Sequence, residues 1–161
     1  MRRRVQVLMT SQQPSGHMDV ALAQAAAAGN RGEVPVGAVL VDAQGRIVAQ
    51  EGNRTRELSD PTAHAEMLVI RETCQRLGLE RLVGFDLYVT LEPCPMCAAA
   101  ISFARIRRLY YGADDPKSGG VANGPRVFSA KSCHHAPEIY DGLGAEQSAE
   151  LLRSFFGARR I

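Results

Sequence analysis

Apolar positions along the chain alternate between helix-like and strand-like spacing. From Met18 the run Val20-Ala21-Leu22-Ala23 through Ala28 is rich in the strongest helix former and ends at Gly29-Asn30, which predicts a helix over 18–28. Glu33-Val34-Pro35-Val36-Gly37-Ala38-Val39-Leu40-Val41-Asp42 predicts a strand. Ala43-Gln44-Gly45 predicts a turn, and 46–51 a returning strand that completes an antiparallel hairpin. Gly52-Asn53-Arg54-Thr55 then leads into a polar loop ending near Asp60-Pro61-Thr62. Met67, Leu68, Ile70, Cys74 and Leu77 share helical spacing within 63–79, and Gly78 marks the exit. Residues 85–91 alternate as a strand, 98–104 read as helix, and 108–112 as another strand. After Gly112 a Gly- and Pro-rich stretch runs to about Pro137 with weak signals. Long irregular segments in a compact domain are often functional, and this one is expected to overhang a pocket. Leu151, Leu152, Phe155 and Phe156 give 145–158 an amphipathic helical pattern, with the paired Phe residues read as core or lid packing. Residues 1–17 lack any such period and read as a flexible N-terminal arm.

Composition narrows the class. A chain of 161 residues, 45% hydrophobic and 22% charged, is one ordinary globular domain that can bury a core without disulfides. Its four Cys form no scaffold pattern and fit a reducing cytoplasm. No apolar run approaches the roughly 20 residues that span a bilayer. The basic start Met1-Arg2-Arg3-Arg4 is followed only by 5–9 before polar residues take over, too short for an export signal. A net charge of +2 argues against general attraction to nucleic acid. Bases do cluster, at Arg105, Arg107, Arg108, Lys117, Arg126 and Lys131, and again at Arg153, Arg159 and Arg160. Such clusters can face phosphates, although charge alone favours a solvated surface.

The candidate chemistry lies in Pro93-Cys94-Pro95-Met96-Cys97, read together with His64-Ala65-Glu66. Two thiols three residues apart at the start of a helix can grip one ion from the same side. Pro95 suits the first helical position, and the positive helix end favours the thiolate that a metal requires. His64 adds a third ligand, and three protein ligands leave one tetrahedral corner open, the mark of a catalytic zinc site. Glu66 is placed to act there as a base. Taken alone, Cys-x-x-Cys serves equally as a redox pair or half of a structural zinc site, and His-x-Glu is common on surface helices. Their conjunction, with Pro ahead of the first Cys, is the known signature of the zinc nucleobase deaminases. A zinc site of this kind brings the pKa of water to roughly 7, and a carboxylate that is not itself a ligand can move protons from water to a ring nitrogen and to departing ammonia. The zinc-protease pattern His-Glu-x-x-His is absent from the sequence.

Beyond this signature the chain resembles the cytidine deaminase-like superfamily and, within it, the bacterial tRNA-specific adenosine deaminases. The resemblance runs from about Met18 to Arg160. It rests on 33–41, Gly52-Asn53-Arg54, Asp60-Pro61-Thr62-Ala63-His64-Ala65-Glu66, Leu87-Tyr88-Val89-Thr90-Leu91-Glu92-Pro93-Cys94, Ile106-Arg107-Arg108 and Gly112-Ala113. It implies an α/β fold of three layers (α-β-α), with a mixed five-stranded sheet flanked by helices over 18–161. It implies one Zn2+ per subunit on His64, Cys94 and Cys97, with Glu66 as proton shuttle. It also implies hydrolytic conversion of adenosine to inosine at the wobble position of a tRNA anticodon stem-loop, by a cytoplasmic homodimer whose partner helps to form the RNA site. Asn53 matches a residue that hydrogen-bonds the purine, and Asp115 one that reads a neighbouring ribose hydroxyl, the group that distinguishes RNA from DNA. Both are also ordinary turn residues. Cys133-His134-His135 reads as loop. Two other functions fit parts of the pattern. One is deamination of a free base, nucleoside or nucleotide (guanine, cytosine, cytidine or dCMP), since such enzymes share the zinc motif. The other is a non-catalytic zinc-stabilised RNA-binding module, which needs Cys74 or Cys133 as fourth ligand. Residues 121–132 depart from the familiar bacterial pattern.

Overall fold

Pro14 opens the first helix, α1 (Pro14–Asn30), where a missing N–H goes unmissed. The computed structural model describes residues 14–159. The helix therefore begins ahead of the expected Met18, and 14–17 belong to the folded unit rather than to a flexible arm. Tertiary contact explains the difference. His17 and Met18 are buried, and the His17 ring meets Tyr88 edge-on at 5.0 Å. The rest of the expected arm, 1–13, lies outside the described residues.

Met18, Ala21, Ala25 and Ala28 bury one face of α1 at helical spacing. That face lies against the strand β1 (Gly37–Val41) so closely that a Cβ on Gly37 would stand 2.0 Å from the Ala21 carbonyl oxygen. Only glycine fits there. The expected strand was longer, 33–42. It starts late because Pro35 has no N–H for a ladder, while the Val36 N–H turns to Val34 O at 2.8 Å.

The strand β2 (Ile47–Gly52) pairs antiparallel with β1, as the hairpin pattern predicted. On the other side β1 is antiparallel to β3 (Asp86–Leu91), which is parallel to β4 (Arg108–Ala113), itself parallel to β5 (Glu138–Tyr140). The order β2-β1-β3-β4-β5 makes a mixed five-stranded sheet. Between its parallel central strands runs α3 (Pro95–Ala104), and α2 (Ala65–Leu77) joins β2 to β3.

Alternate residues of the central strands serve two cores. Ala38, Leu40, Leu87, Val89, Leu109 and Tyr111 pack with Val69 and Ile70 of α2 and Ala98 and Ile101 of α3. Val39, Val41 and Tyr88 pack with Met18 and Ala21. The C-terminal helix α4 (Ala145–Ala158), at the bounds its amphipathic pattern predicted, contacts α1 and β4. The chain thus has the three-layer α/β architecture. Register also stacks Tyr88 on Tyr110 and Tyr110 on Tyr140, at 4.4 and 4.9 Å between ring centroids.

No helix among the described residues is long and apolar enough to cross a membrane. Both motif helices start at one end of the sheet, beyond the carboxyl end of β3, where parallel strands typically leave a binding crevice.

Candidate active site

His64 and Cys94 occupy equivalent places. Each is the N-cap of its helix, α2 and α3, with extended backbone (φ −71° and −69°), and neither side chain caps its own helix. Both side chains are thereby free to point at each other. His64 was expected inside the first turn and stands one residue before it. Pro95 takes the first position of α3, and Cys97 follows in the same turn, fully buried.

The Nδ1 atom of His64 lies 3.6 Å from Cys94 Sγ and 3.5 Å from Cys97 Sγ. All three ligand atoms fall within 4.8 Å of one another. Zinc bonds of about 2.3 Å to sulfur and 2.0–2.1 Å to nitrogen, at a tetrahedral angle, put S and N about 3.5 Å apart, so the three donors already have the spacing zinc demands. The two thiols differ in their electrostatics. Hydrogen bonding from Cys97, aided by His64 and opposed by burial, lowers the Cys94 thiol to about 4. Its hydrogen bond to Cys94, and then burial, push Cys97 up. The His64 imidazole is raised, chiefly by its bond to Cys94.

Among the described residues this His-Cys-Cys group has no fourth Cys or His. Cys133 is instead 3.5 Å from the Ser102 hydroxyl, and His135 Nε2 bonds to Ile106 O at 2.6 Å. These contacts tie the 133–135 segment to the end of α3. The closed four-ligand site that a structural zinc module needs is not assembled, and 133–135 is a loop as expected.

Glu66, the second residue of α2, is buried at 3% exposure. Burial raises its carboxyl above the ordinary range, the direction that suits a group meant to hold and release protons near neutrality. Asn53 follows β2 and is buried. Its Oδ1 accepts the Ala65 N–H at 2.9 Å, which satisfies one of the unpaired donors at the start of α2 and commits the amide oxygen. The amide NH2 remains as a donor.

These side chains line a cavity of about 220 Å³ whose walls include Val34, Val36, Asn53, His64, Glu66 and Leu91. Asp115 sits at its edge, partly buried, with Oδ1 accepting the Ser118 N–H at 3.0 Å. Asp115 thus makes a turn and also reaches the cavity. Five of the six residues singled out in the sequence line this cavity, and the sixth, Cys97, is buried 3.5 Å from His64 Nδ1.

Two buried carboxylates beside the site, Glu33 and Glu92, were not singled out. Glu33 accepts the N–H groups of Arg56 and Glu57 and the Thr55 hydroxyl, and so fixes the loop after Asn53. Glu92, directly before Pro93-Cys94, accepts N–H groups from 115–123. The one available cue was a charged residue at the end of an apolar strand.

Residues 11–113 match the family described as the cytidine and deoxycytidylate deaminase zinc-binding region. The chain is also 65% identical over 144 residues to the tRNA-specific adenosine deaminase of Agrobacterium fabrum, covering 89% of this chain and 94% of that one. The chain belongs to the tRNA-specific adenosine deaminases. Zinc is therefore the metal of this deaminase, on a His-Cys-Cys group that can hold one ion. Among solved structures, one from a study of A-to-I editing by tRNA:A34 deaminases at the wobble position superposes with a TM-score of 0.83. It is 65% identical, and the match covers 84% of this deaminase and 98% of that chain. A guanine deaminase from Nitrosomonas europaea superposes at 0.78 with 20% identity, covering 90% and 85%, a likeness of fold alone.

Proposed function

We propose that the protein is a zinc-dependent hydrolase that converts adenosine to inosine at wobble position 34 of a tRNA anticodon. The observation that carries this reading is a pair of adjoining cavities that share lining residues. The small one beside His64 and Glu66 has room for a single base. It shares Val34, Leu91, Asp115 and Ser118 with a second of about 660 Å³, which Lys117, Phe156 and Arg159 also line. A base flipped from an anticodon loop enters the first, while its flanking sugar and phosphates remain in the second against two cations. A free base would need only the first.

His64, Cys94 and Cys97 would hold the ion, which would supply a water made nucleophilic at neutral pH. Glu66 takes one proton from the attacking water and delivers it to the purine N1. It then moves the remaining hydroxyl proton from the new C6–OH to the amino group, so that the C6–N bond breaks, ammonia leaves and the C6 carbonyl of inosine remains. Burial of Glu66 supports this role, because a carboxyl raised in pKa accepts and returns protons readily. Asn53 orients the purine through its amide NH2, and Asp115 reads the ribose of the flanking nucleotide. We read the enzyme as a cytoplasmic homodimer acting on the anticodon stem-loop. The exposed apolar side chain of Phe103 on α3 supports a partner on that face.

The test is incubation of the zinc-loaded protein with an anticodon stem-loop carrying adenosine at the wobble position, in oxygen-18-labelled water. One inosine with one labelled oxygen, and one ammonia per turnover, is the expected result. No inosine, or inosine without label, would overturn the proposal.

A further inference from the structure

The segment 114–123 forms one wall of the active site with almost no regular structure. Asp114, Pro116, Lys117, Ser118 and Ala122 are exposed, so apolar burial does little to hold it. Its backbone N–H groups nevertheless need acceptors, and one side chain meets four of them. The Glu92 carboxylate, 2% exposed, accepts Asp115 N–H on Oε1 at 3.1 Å and the N–H groups of Val121, Ala122 and Asn123 on Oε2, each at 3.1 Å. Asn123 Nδ2 adds a fifth bond to Oε1 at 2.7 Å. An ionised carboxylate offers about four lone-pair sites, so five donors saturate it.

Sequence marks the same contact from the other side. A Cβ on Gly119 would stand 2.2 Å from Glu92 Oε2, and one on Gly120 would stand 2.6 Å from Pro95 N. The Gly120 N–H donates to Pro93 O at 2.8 Å. Glycine is required at both positions for the segment to lie this close to the metal-binding turn.

We propose that Glu92 is a positioning residue that sets substrate affinity: it folds 115–123 into the cavity wall and so holds Asp115 and Ser118 where the target nucleotide must pass. Glu92 lines the cavity together with Asp115 and Ser118, while the donors it binds lie 23 to 31 residues further along the chain. The group that joins the wall to the zinc turn is thus neither a metal ligand nor the proton shuttle. Loosening it displaces the wall and leaves His64, Cys97 and Glu66 in place. The effect belongs to binding of the polynucleotide, which makes this inference rest on the reading given above.

Glu92→Gln keeps the shape but turns an NH2 toward backbone donors. Asn123→Ala removes one donor from the loop side and leaves the residue beside Pro93 intact. Steady-state kinetics on the anticodon stem-loop, zinc content and amide hydrogen exchange are measured for the wild type and both variants. Glu92→Gln should raise KM about tenfold or more, with kcat within about threefold and zinc retained, and Asn123→Ala should raise KM by a smaller factor. Exchange at Asp115, Val121, Ala122 and Asn123 should accelerate in Glu92→Gln while β3 stays protected. A general loss of stability would instead expose β3 as well. Unchanged KM, or loss of kcat at constant KM, overturns the proposal. If Glu92→Gln does not fold, an unchanged KM in Asn123→Ala overturns it alone. A wild-type protein inactive on the stem-loop would reject the functional reading itself, a result distinct from an active wild type whose variants keep its KM.

Discussion

The side-chain oxygen of Asn53 accepts the backbone N–H of Ala65 at 2.9 Å. One hydrogen bond therefore fixes Asn53 to the helix that carries Glu66, and under the proposed function it gives Asn53 two separable duties. Asn53→Ala should lose both, costing about 0.5–2 kcal/mol of stability as capping losses do, together with most activity. Asn53→Asp keeps an acceptor at a positive helix end but removes the NH2 donor. Its melting temperature should stay near that of the wild type while kcat/KM falls about a hundredfold or more. Equal activity in the two proteins would show that the amide does not read the base.

Glu66→Gln should retain zinc and fold but lose about 10²–10⁴-fold in turnover, the usual worth of a positioned acid–base group. Metal analysis and single-turnover rates check this together. Near-normal rates in a zinc-loaded variant would remove Glu66 from the mechanism.

Removal of zinc by a chelator should abolish turnover and lower the melting temperature, because an ion bound only by the folded chain stabilises it by mass action, about 4 kcal/mol at a thousandfold excess over Kd. One equivalent of zinc should restore both. Cys97→Ser, which removes the buried thiolate ligand, should fail to recover in the same titration.

Glu33 gives acid sensitivity with a definite sign. Burial pushes its carboxyl up, but the N–H groups of Glu57 and Arg56 and the Thr55 hydroxyl outweigh that and hold it below the ordinary value of 4.5. A group with a lower pKa folded than unfolded stabilises fully above the unfolded value and loses that contribution as pH falls through the folded one. The melting temperature of Glu33→Gln should therefore fall less steeply than that of the wild type between about pH 5 and pH 3. Parallel curves would contradict the assignment.

What the sequence revealed followed from local rules. Gly78 adopts φ 66° and caps α2 through its N–H to Cys74 O, as a glycine after the last periodic residue should. Pro95 and the Cys-x-x-Cys spacing marked the start of α3 in the same way. What stayed hidden depends on distant partners. β5 has three exposed residues and no alternation, and exists because β4 offers it an edge. Arg105 ends α3 in the left-handed region at φ 61°, where no glycine advertised the stop. Residues 14–17 are helical because His17 packs under Tyr88. Glu33 and Glu92 bind N–H groups 23 or more residues away, which leaves no periodic trace.

The most direct measurement is the rate of deamination of an anticodon stem-loop with adenosine at the wobble position, run beside free adenosine, guanine, cytosine and cytidine. Inosine in the stem-loop with the free compounds untouched is the predicted result. Turnover of a free compound with the stem-loop unchanged would keep the zinc chemistry and contradict the tRNA assignment.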